Sequence, residues 1–304
     1  MYPAFFGLAE LPFTITPDPR YLFASSRHAE ALAHLVYGVS EAGGFIQLTG
    51  EVGTGKTTLV RSLLAREPSG VDIALVLNPR VTVPEFLLTL CEELGIPMPG
   101  SASGSVKALV DALSAHLLAA HAAGRRVAVI IDEAHLLERD VLEQVRLLTN
   151  LETSTRKLLQ VILIGQPELR ELLAREDLRQ VAQRITGRHH LEPLSREETA
   201  AYVRHRLRVA GATREIFTPA ALRELHRRSG GLPRLVNVIA DRALLGAFAR
   251  DRHEVSSALL RAAAAEVAGE ADGSRVWPWV ATAATVLLVA VSVWWAWSQR
   301  TMGG

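Results

Sequence analysis

Short runs of apolar residues recur through the first two thirds of the chain. They lack the alternation of apolar and polar residues that is typical of a half-exposed strand. Amphipathic stretches, with apolar residues three and four positions apart, separate them and predict helices. Buried strands alternating with helices predict an α/β fold, with a parallel sheet covered by helices on both faces. The predicted strands are 45–49, 73–77, 127–131, 158–164 and a short fifth strand at 188–191.

Only helical periodicity follows Ser195, which predicts a separate all-α domain. Its predicted helices are 195–210, 218–229, 233–250 and 255–268, with glycines between them. The pattern therefore divides the chain into segments. These are a leader and linker helix at 1–40, an α/β domain at 41–192, a helical lid domain at 193–268 and a linker at 269–276.

Residues 277–297 contain no charged side chain and have tryptophans at both ends. A helix of about 21 residues is roughly 32 Å long, enough for a hydrocarbon core of about 30 Å. Tryptophan favours the two membrane interfaces. We expect one C-terminal transmembrane helix, followed by a short tail at 298–304; the alternative is a buried core helix.

Composition narrows the function classes. The net charge of +1 argues against a protein that binds nucleic acid through bulk charge. A single cysteine, Cys91, excludes an internal disulfide, and its apolar surroundings predict a buried side chain. The N-terminus lacks the basic start and long apolar region of a signal peptide.

A glycine-rich loop, Gly50–Thr57, joins the strand at 45–49 to an apolar helical stretch. It matches G-x-x-x-x-G-K-[ST] at each fixed position, in the strand–loop–helix context of a phosphate-binding loop. Lys56 would reach the β- and γ-phosphates of ATP, and the Thr57 hydroxyl would be an Mg²⁺ ligand. The predicted cofactor-binding residues are Gly50, Glu51, Val52, Gly53, Thr54, Gly55, Lys56, Thr57 and Thr58.

Two carboxylates, Asp132 and Glu133, directly follow the apolar strand at 127–131. Asp132 would hold Mg²⁺ through water, and Glu133 would orient and polarise the attacking water. Together with Ala134 and His135 they form the sequence D-E-A-H, which is typical of helicases. The chain has one nucleotide core rather than two, so we discount a helicase and expect His135 at the surface or behind the site.

Further candidates follow the fourth strand. Gln166 would lie between the acidic pair and the γ-phosphate and position water; the alternative is a turn residue before Pro167. Charge developing on the γ-phosphoryl oxygens favours an arginine, often one from a neighbouring subunit. We predict Arg184 for this role, and Arg179 and Arg188 remain open as alternatives.

Arg234 follows Pro233 at the start of a lid helix, so we expect it to point back to the nucleotide. The alternative is a surface ion pair. The predicted catalytic residues are thus Lys56, Glu133, Gln166, Arg184 and Arg234, with Thr57 and Asp132 as metal ligands.

These motifs, in this order, resemble the AAA+ ATPases called general secretion pathway protein A (ExeA type). The leader motif Tyr2–Leu8, the Gly-Gln-Pro-Glu-Leu motif at 165–169 and the Gly-Leu-Pro-Arg motif at 231–234 carry the resemblance, which covers roughly residues 1–268. Two departures stand out. The broader AAA+ class usually has Asn, Thr or Ser at Gln166, and known members continue beyond the membrane into a peptidoglycan-binding domain, whereas only 298–304 remain here.

The resemblance implies a hexameric ring ATPase fixed to the bacterial inner membrane by a single pass, with its N-terminal ATPase domain cytoplasmic. Its partner would be a B-type inner-membrane protein, and the pair would help to assemble the outer-membrane secretin of type II secretion. Related ATPases serve pilus and exopolysaccharide systems, which remain alternatives.

A nucleic-acid-loading ATPase is a second hypothesis, since AAA+ proteins of transposition and replication share this core. The lid is rich in arginine, but interleaved glutamates favour a solvated face, so nucleic acid is not the expected partner. A third hypothesis is a nucleotide-gated scaffold that does not hydrolyse ATP.

Overall fold

The computed structural model describes residues 2–16, 18–23, 25–40, 43–66, 69–97, 105–153 and 156–269. No helix within these ranges is long and apolar enough to cross a membrane. The predicted transmembrane helix at 277–297, the tail and the linker after Gly269 lie outside the described residues.

The sheet has five parallel strands in the order β2-β3-β4-β1-β5. All five strand predictions are confirmed. The strands are β1 (Gly44–Gly50), β2 (Val71–Val76), β3 (Arg126–Ile131), β4 (Leu159–Gly165) and β5 (Ile185–Leu191). β5 begins three residues earlier than predicted, because an edge strand keeps polar side chains that hide the apolar signal.

Helices cover both faces of the sheet, which is the predicted α/β architecture. One face packs against α2 and α3 through Ile46, Leu48 and Ile162, among others. The opposite face, with Phe45, Val129 and others, packs against α4 to α8. These helices are α2 (Ser26–Ser40), α3 (Lys56–Leu64), α4 (Val83–Glu93), α5 (Val106–Ala122), α6 (Arg139–Leu148), α7 (Glu168–Ala174) and α8 (Arg179–Ala182). Cys91 on α4 is buried, as expected, and burial raises the pKa of its thiol.

A second core lies among four helices after the sheet. These are α9 (Arg196–Val209), α10 (Pro219–Ser229), α11 (Pro233–Phe248) and α12 (Ser257–Val267), as predicted. The first residues of the chain join this core. They form the short helix α1 (Tyr2–Phe6), which the sequence did not predict because five residues carry too little periodicity.

The leader therefore divides between the two cores. Tyr2, Phe6 and Phe13 are buried in the helical unit, while α2 packs on the sheet. The Phe13 ring meets Phe217 edge to face, with ring centroids 6.0 Å apart. The leader thus links the helical unit to the sheet.

Arg206 on α9 fixes the leader in place. Its guanidinium, only 6% exposed, donates to the carbonyl oxygens of Pro12 and of Thr14 (3.2 Å). It also donates to the Tyr202 hydroxyl (2.9 Å) and lies 4.6 Å from the centre of the Tyr21 ring. The expectation that the lid arginines form a solvated face is wrong for Arg206, because leader carbonyls replace water as its acceptors.

We expect Arg206→Met to lower the free energy of unfolding by about 2–4 kcal/mol, because buried leader carbonyls lose a charged donor. Urea unfolding of the variant measures this change. Arg208→Met is the matched control, since Arg208 is an exposed arginine on the same helix, and we expect a change within about 0.5 kcal/mol. Equal losses in the two variants would contradict the leader-anchoring role.

Candidate nucleotide-binding site

The phosphate loop runs from the carboxyl end of β1 to the first turn of α3. Gly53 and Gly55 have φ values of +82° and +104°, which L-residues rarely adopt. α3 begins at Lys56, directly after Gly55. The first N–H groups of a helix have no partner within it and attract anions, so the loop and helix together form a site for phosphate.

Gly53→Ala tests how closely the lid approaches this loop. A Cβ at Gly53 would lie 2.6 Å from the Cβ of Arg234, whereas a Cβ at Gly70, with φ +73°, meets nothing within 4 Å. We expect Gly70→Ala to cost about 1–2 kcal/mol of stability and to leave ATP binding unchanged. Gly53→Ala should in addition weaken ATP binding about tenfold or more, because the loop must shift. Calorimetric titration with ATP measures both variants, and equal affinities would contradict the close contact.

His28, on α2, supports the same loop through a hydrogen bond. The sequence pattern around His28 does not indicate this role. Its Nε2 donates to the Thr54 carbonyl oxygen at 3.0 Å, and its Nδ1 lies 2.8 Å from the Ser25 hydroxyl, which donates to it. Burial lowers the pKa of His28, which favours this neutral form. The Ser25 hydroxyl also accepts from the His28 backbone N–H and so caps α2.

The residues predicted to hold phosphate and Mg²⁺ lie together. Lys56 is 7% exposed, and its ammonium donates to the carbonyl oxygens of Gly50 (2.7 Å) and Glu51 (3.0 Å). Burial lowers its pKa, and the carboxylates of Glu133 and Asp132 oppose that shift. The Thr57 hydroxyl donates to a carboxylate oxygen of Asp132 at 2.9 Å. A hydroxyl and a carboxylate are oxygen ligands that suit Mg²⁺.

Glu133 follows Asp132 with a φ of +51°, a strained value for a residue with a Cβ. The Glu133 backbone N–H donates to Asp132 Oδ1 at 2.9 Å. Glu133 lines the same cavity as Lys56 and Thr57. Its Oε2 is buried and accepts no hydrogen bond from the described residues, while the side chain as a whole is 42% exposed.

His135 connects Glu133 to Gln166. Its Nδ1 lies 3.4 Å from Glu133 Oε2, and its Nε2 lies 3.1 Å from the Gln166 side-chain nitrogen. The His135 side chain is 11% exposed, so it lies behind the predicted catalytic pair rather than at the surface. Gln166 also lines the cavity. The imidazole therefore lies between the two predicted catalytic side chains and contacts both of them.

A cavity of about 360 Å³ opens above the phosphate loop, between the sheet and the helical unit. Arg234 reaches this cavity from the start of α11. Its backbone N–H donates to the Gly53 carbonyl oxygen at 3.2 Å. Leader residues form another wall, which sequence reasoning missed because the leader's packing is tertiary. They include Ile15, Asp18, Tyr21, Leu22 and Phe23.

The predicted trans-acting Arg184 lies away from this cavity, immediately before β5. Its guanidinium donates to the Arg146 carbonyl oxygen (3.3 Å) and the Thr149 hydroxyl (3.0 Å) at the end of α6. Arg188 donates to the Ala182 carbonyl oxygen. The Arg179 side chain is exposed and makes no hydrogen bond or ion pair with a described residue. The catalytic role of Arg184 stays a prediction. Its hydrogen bonds also connect the end of α6 to the residue before β5.

The arrangement is suited to phosphoryl transfer from a nucleoside triphosphate to water. Lys56 and the loop would bind the phosphates, and Glu133 would accept a proton from a water that Gln166 helps to position. Thr57 and Asp132 would hold Mg²⁺, which neutralises charge on phosphate oxygens. Arg234 adds positive charge on the lid side.

Comparisons with known proteins agree with this geometry. The family model described as "AAA domain" matches residues 39–173. General secretion pathway protein A from Aeromonas hydrophila is 52% identical over 297 residues, which cover 98% of this chain. The chain spans only 54% of the length of that relative.

Solved structures share the fold at low identity. The Aeropyrum pernix ORC2 protein, in ADPNP-ADP complexes, aligns with a TM-score of 0.60 and 22% identity over 84% of this chain and 71% of its own. Drosophila ORC bound to DNA aligns with a TM-score of 0.65 and 20% identity over 89% and 69%. The motifs, the fold and the matched AAA domain together show a P-loop ATPase core of the AAA+ type, and nearly the whole chain is similar to general secretion pathway protein A.

Proposed function

We propose that this protein is a membrane-anchored ATPase that binds and hydrolyses ATP to support assembly of a cell-envelope secretion system. The convergence of Lys56, Thr57, Asp132 and Glu133 on one cleft carries the ATPase half of the proposal. The 52% identity to general secretion pathway protein A supports the secretion half.

The cleft also explains how ATP would do work. Its walls come from the sheet, from the leader and from α11, so a bound triphosphate would contact all three. Loss of the γ-phosphate would remove the contacts that Arg234 and Gln166 make with it. The helical unit, with the first part of the leader, would then be free to turn relative to the sheet, and that movement would act on the partner.

Secretin assembly tests the proposal in cells. Where the native chain supports assembly of the outer-membrane secretin multimer, we expect the Glu133→Gln chain to leave the secretin as monomers. Native gels of membrane extracts measure the ratio of secretin multimers to monomers. Normal multimers with Glu133→Gln would contradict the need for hydrolysis and would favour a nucleotide-gated scaffold. Normal multimers in cells that lack the chain would favour pilus or exopolysaccharide systems, which genes neighbouring this one would distinguish.

A ring, with six subunits as the expected number, would complete the site with an arginine from the next subunit. We expect Arg184→Ala to bind ATP but hydrolyse it slowly, and mixing it with Glu133→Gln subunits to restore turnover, because each lacks a different half of the site. Steady-state ATPase assays over a range of mixing ratios measure the rescue. Arg179→Ala and Arg188→Ala are matched alternatives, and absence of rescue with all three would count against the ring.

We further propose that residues 277–297 anchor the chain in the bacterial inner membrane and that a B-type membrane protein is its partner. ATP is cytoplasmic, so the ATPase domain would face the cytoplasm. Deleting residues 275–304 should move the ATPase from the membrane pellet to the soluble fraction. A truncated chain that still pellets would reveal a different anchor.

Nucleic acid is not part of this proposal. Many lid arginines are paired with glutamate: Arg227 and Arg228 contact Glu224, and Arg204 contacts Glu215. DNA affinity that falls steeply with salt would instead favour a nucleic-acid-loading ATPase.

A further inference from the structure

Three side chains of the types that ligate metals lie close together outside the nucleotide cavity. Glu30 and His34 lie one turn apart on α2, and His189 lies on the edge strand β5. One potential ligand atom of each residue lies within 4.8 Å of those of the other two. The His34 and His189 rings are 5.4 Å apart between centroids.

His189 gives a second, independent indication of a ligand. Its Nε2 is buried and has no hydrogen-bond partner among the described residues. A buried polar atom usually has a partner, so an orphaned imidazole nitrogen calls for an explanation. Burial, with a smaller contribution from His34, lowers the pKa of His189, and a neutral imidazole is the form that ligates metals.

We propose that Glu30, His34 and His189 form a binding site for a divalent transition metal of the zinc class. Two imidazole nitrogens and one carboxylate oxygen suit Zn²⁺, with water in the fourth position, whereas Mg²⁺ and Ca²⁺ prefer oxygen ligands alone. Ligands around tetrahedral zinc lie roughly 3.3 Å apart for bonds of about 2.0–2.1 Å. Glu30 Oε1 and His34 Nε2 are 3.9 Å apart, slightly more than this ligand spacing. The two side chains are 64% and 56% exposed, so they are free to move closer together.

The metal would join α2 to the edge of the sheet. α2 also carries His28, whose imidazole holds the Thr54 carbonyl of the phosphate loop. The site is therefore structural, and it would stabilise the helix that supports the nucleotide cavity. None of its three ligands lines that cavity.

Thermal unfolding of the full-length chain, freed of metal and nucleotide, tests the site. We expect micromolar Zn²⁺ to raise the Tm of the native chain, and Co²⁺ to give the visible absorption of a tetrahedral complex. His34→Ala and His189→Gln should weaken metal binding at least about tenfold. His121→Ala, which removes an exposed histidine of α5, is the control and should respond to Zn²⁺ as the native chain does.

Two results would overturn the proposal. One is a Zn²⁺ response that survives in His34→Ala, a substitution at an exposed position that should leave the fold intact. The other is an equal rise in Tm with Mg²⁺, which would place the metal on the oxygen ligands of the nucleotide site. Lys56→Ala should keep the full Zn²⁺ response, so this test does not depend on ATP binding.

Discussion

Replacing Glu133 with glutamine should lower kcat for ATP hydrolysis by about 10²- to 10⁴-fold, the usual contribution of a general base. Glutamine keeps the volume of the side chain but cannot accept a proton from water. ATP affinity should change little, because Lys56, Thr57 and Asp132 remain in place. Steady-state phosphate release and calorimetric titration with ATP measure the two quantities separately.

Glu138→Gln is the matched control, since Glu138 is exposed at the start of α6 and does not line the cavity. It should hydrolyse ATP at the native rate. Turnover within about twofold of native in Glu133→Gln, far smaller than the loss of a general base, would remove Glu133 from the chemistry. The chain would then fit a nucleotide-gated scaffold better than an ATPase.

Lys56→Ala should weaken ATP binding about 100-fold, the equivalent of one or two hydrogen bonds from a charged donor. The ammonium is already buried beside the loop, so little side-chain freedom is lost when phosphate binds. The substitution also leaves the Gly50 and Glu51 carbonyls without this donor, so urea unfolding should accompany the titration to show that the variant is folded.

Lys107→Ala, which removes an exposed lysine of α5, is the control and should bind ATP as the native chain does. If Lys56→Ala is folded and binds ATP with native affinity, the assignment of the phosphate loop is wrong.

Local patterns were enough to predict the sheet and most of the helices. Apolar strands buried on both faces, such as Val127–Ile131, give a strong signal because each residue packs on one face or the other. The phosphate loop and the acidic pair are equally local, since their chemistry requires particular residues at short spacing. Their convergence followed from the rule that parallel strands present their carboxyl ends at one edge.

Features that depend on distant contacts were not predictable in this way. Arg206 has the same local pattern as its exposed neighbours, and only the position of the leader carbonyls shows that it is buried. His28 and His135 likewise act through partners on other elements. The division of the leader between two cores depends on aromatic contacts such as Phe13 with Phe217, which are about 200 residues apart in the chain.

The central claim is that a triphosphate binds between the sheet and the helical unit. A crystal structure of the chain with a non-hydrolysable ATP analogue and Mg²⁺ tests it most directly. We expect the γ-phosphate beside Lys56, the metal between Thr57 and Asp132, and the rest of the nucleotide against the leader wall and α11. An analogue bound elsewhere, or Lys56, Asp132 and Glu133 far from its phosphates, would contradict the claim.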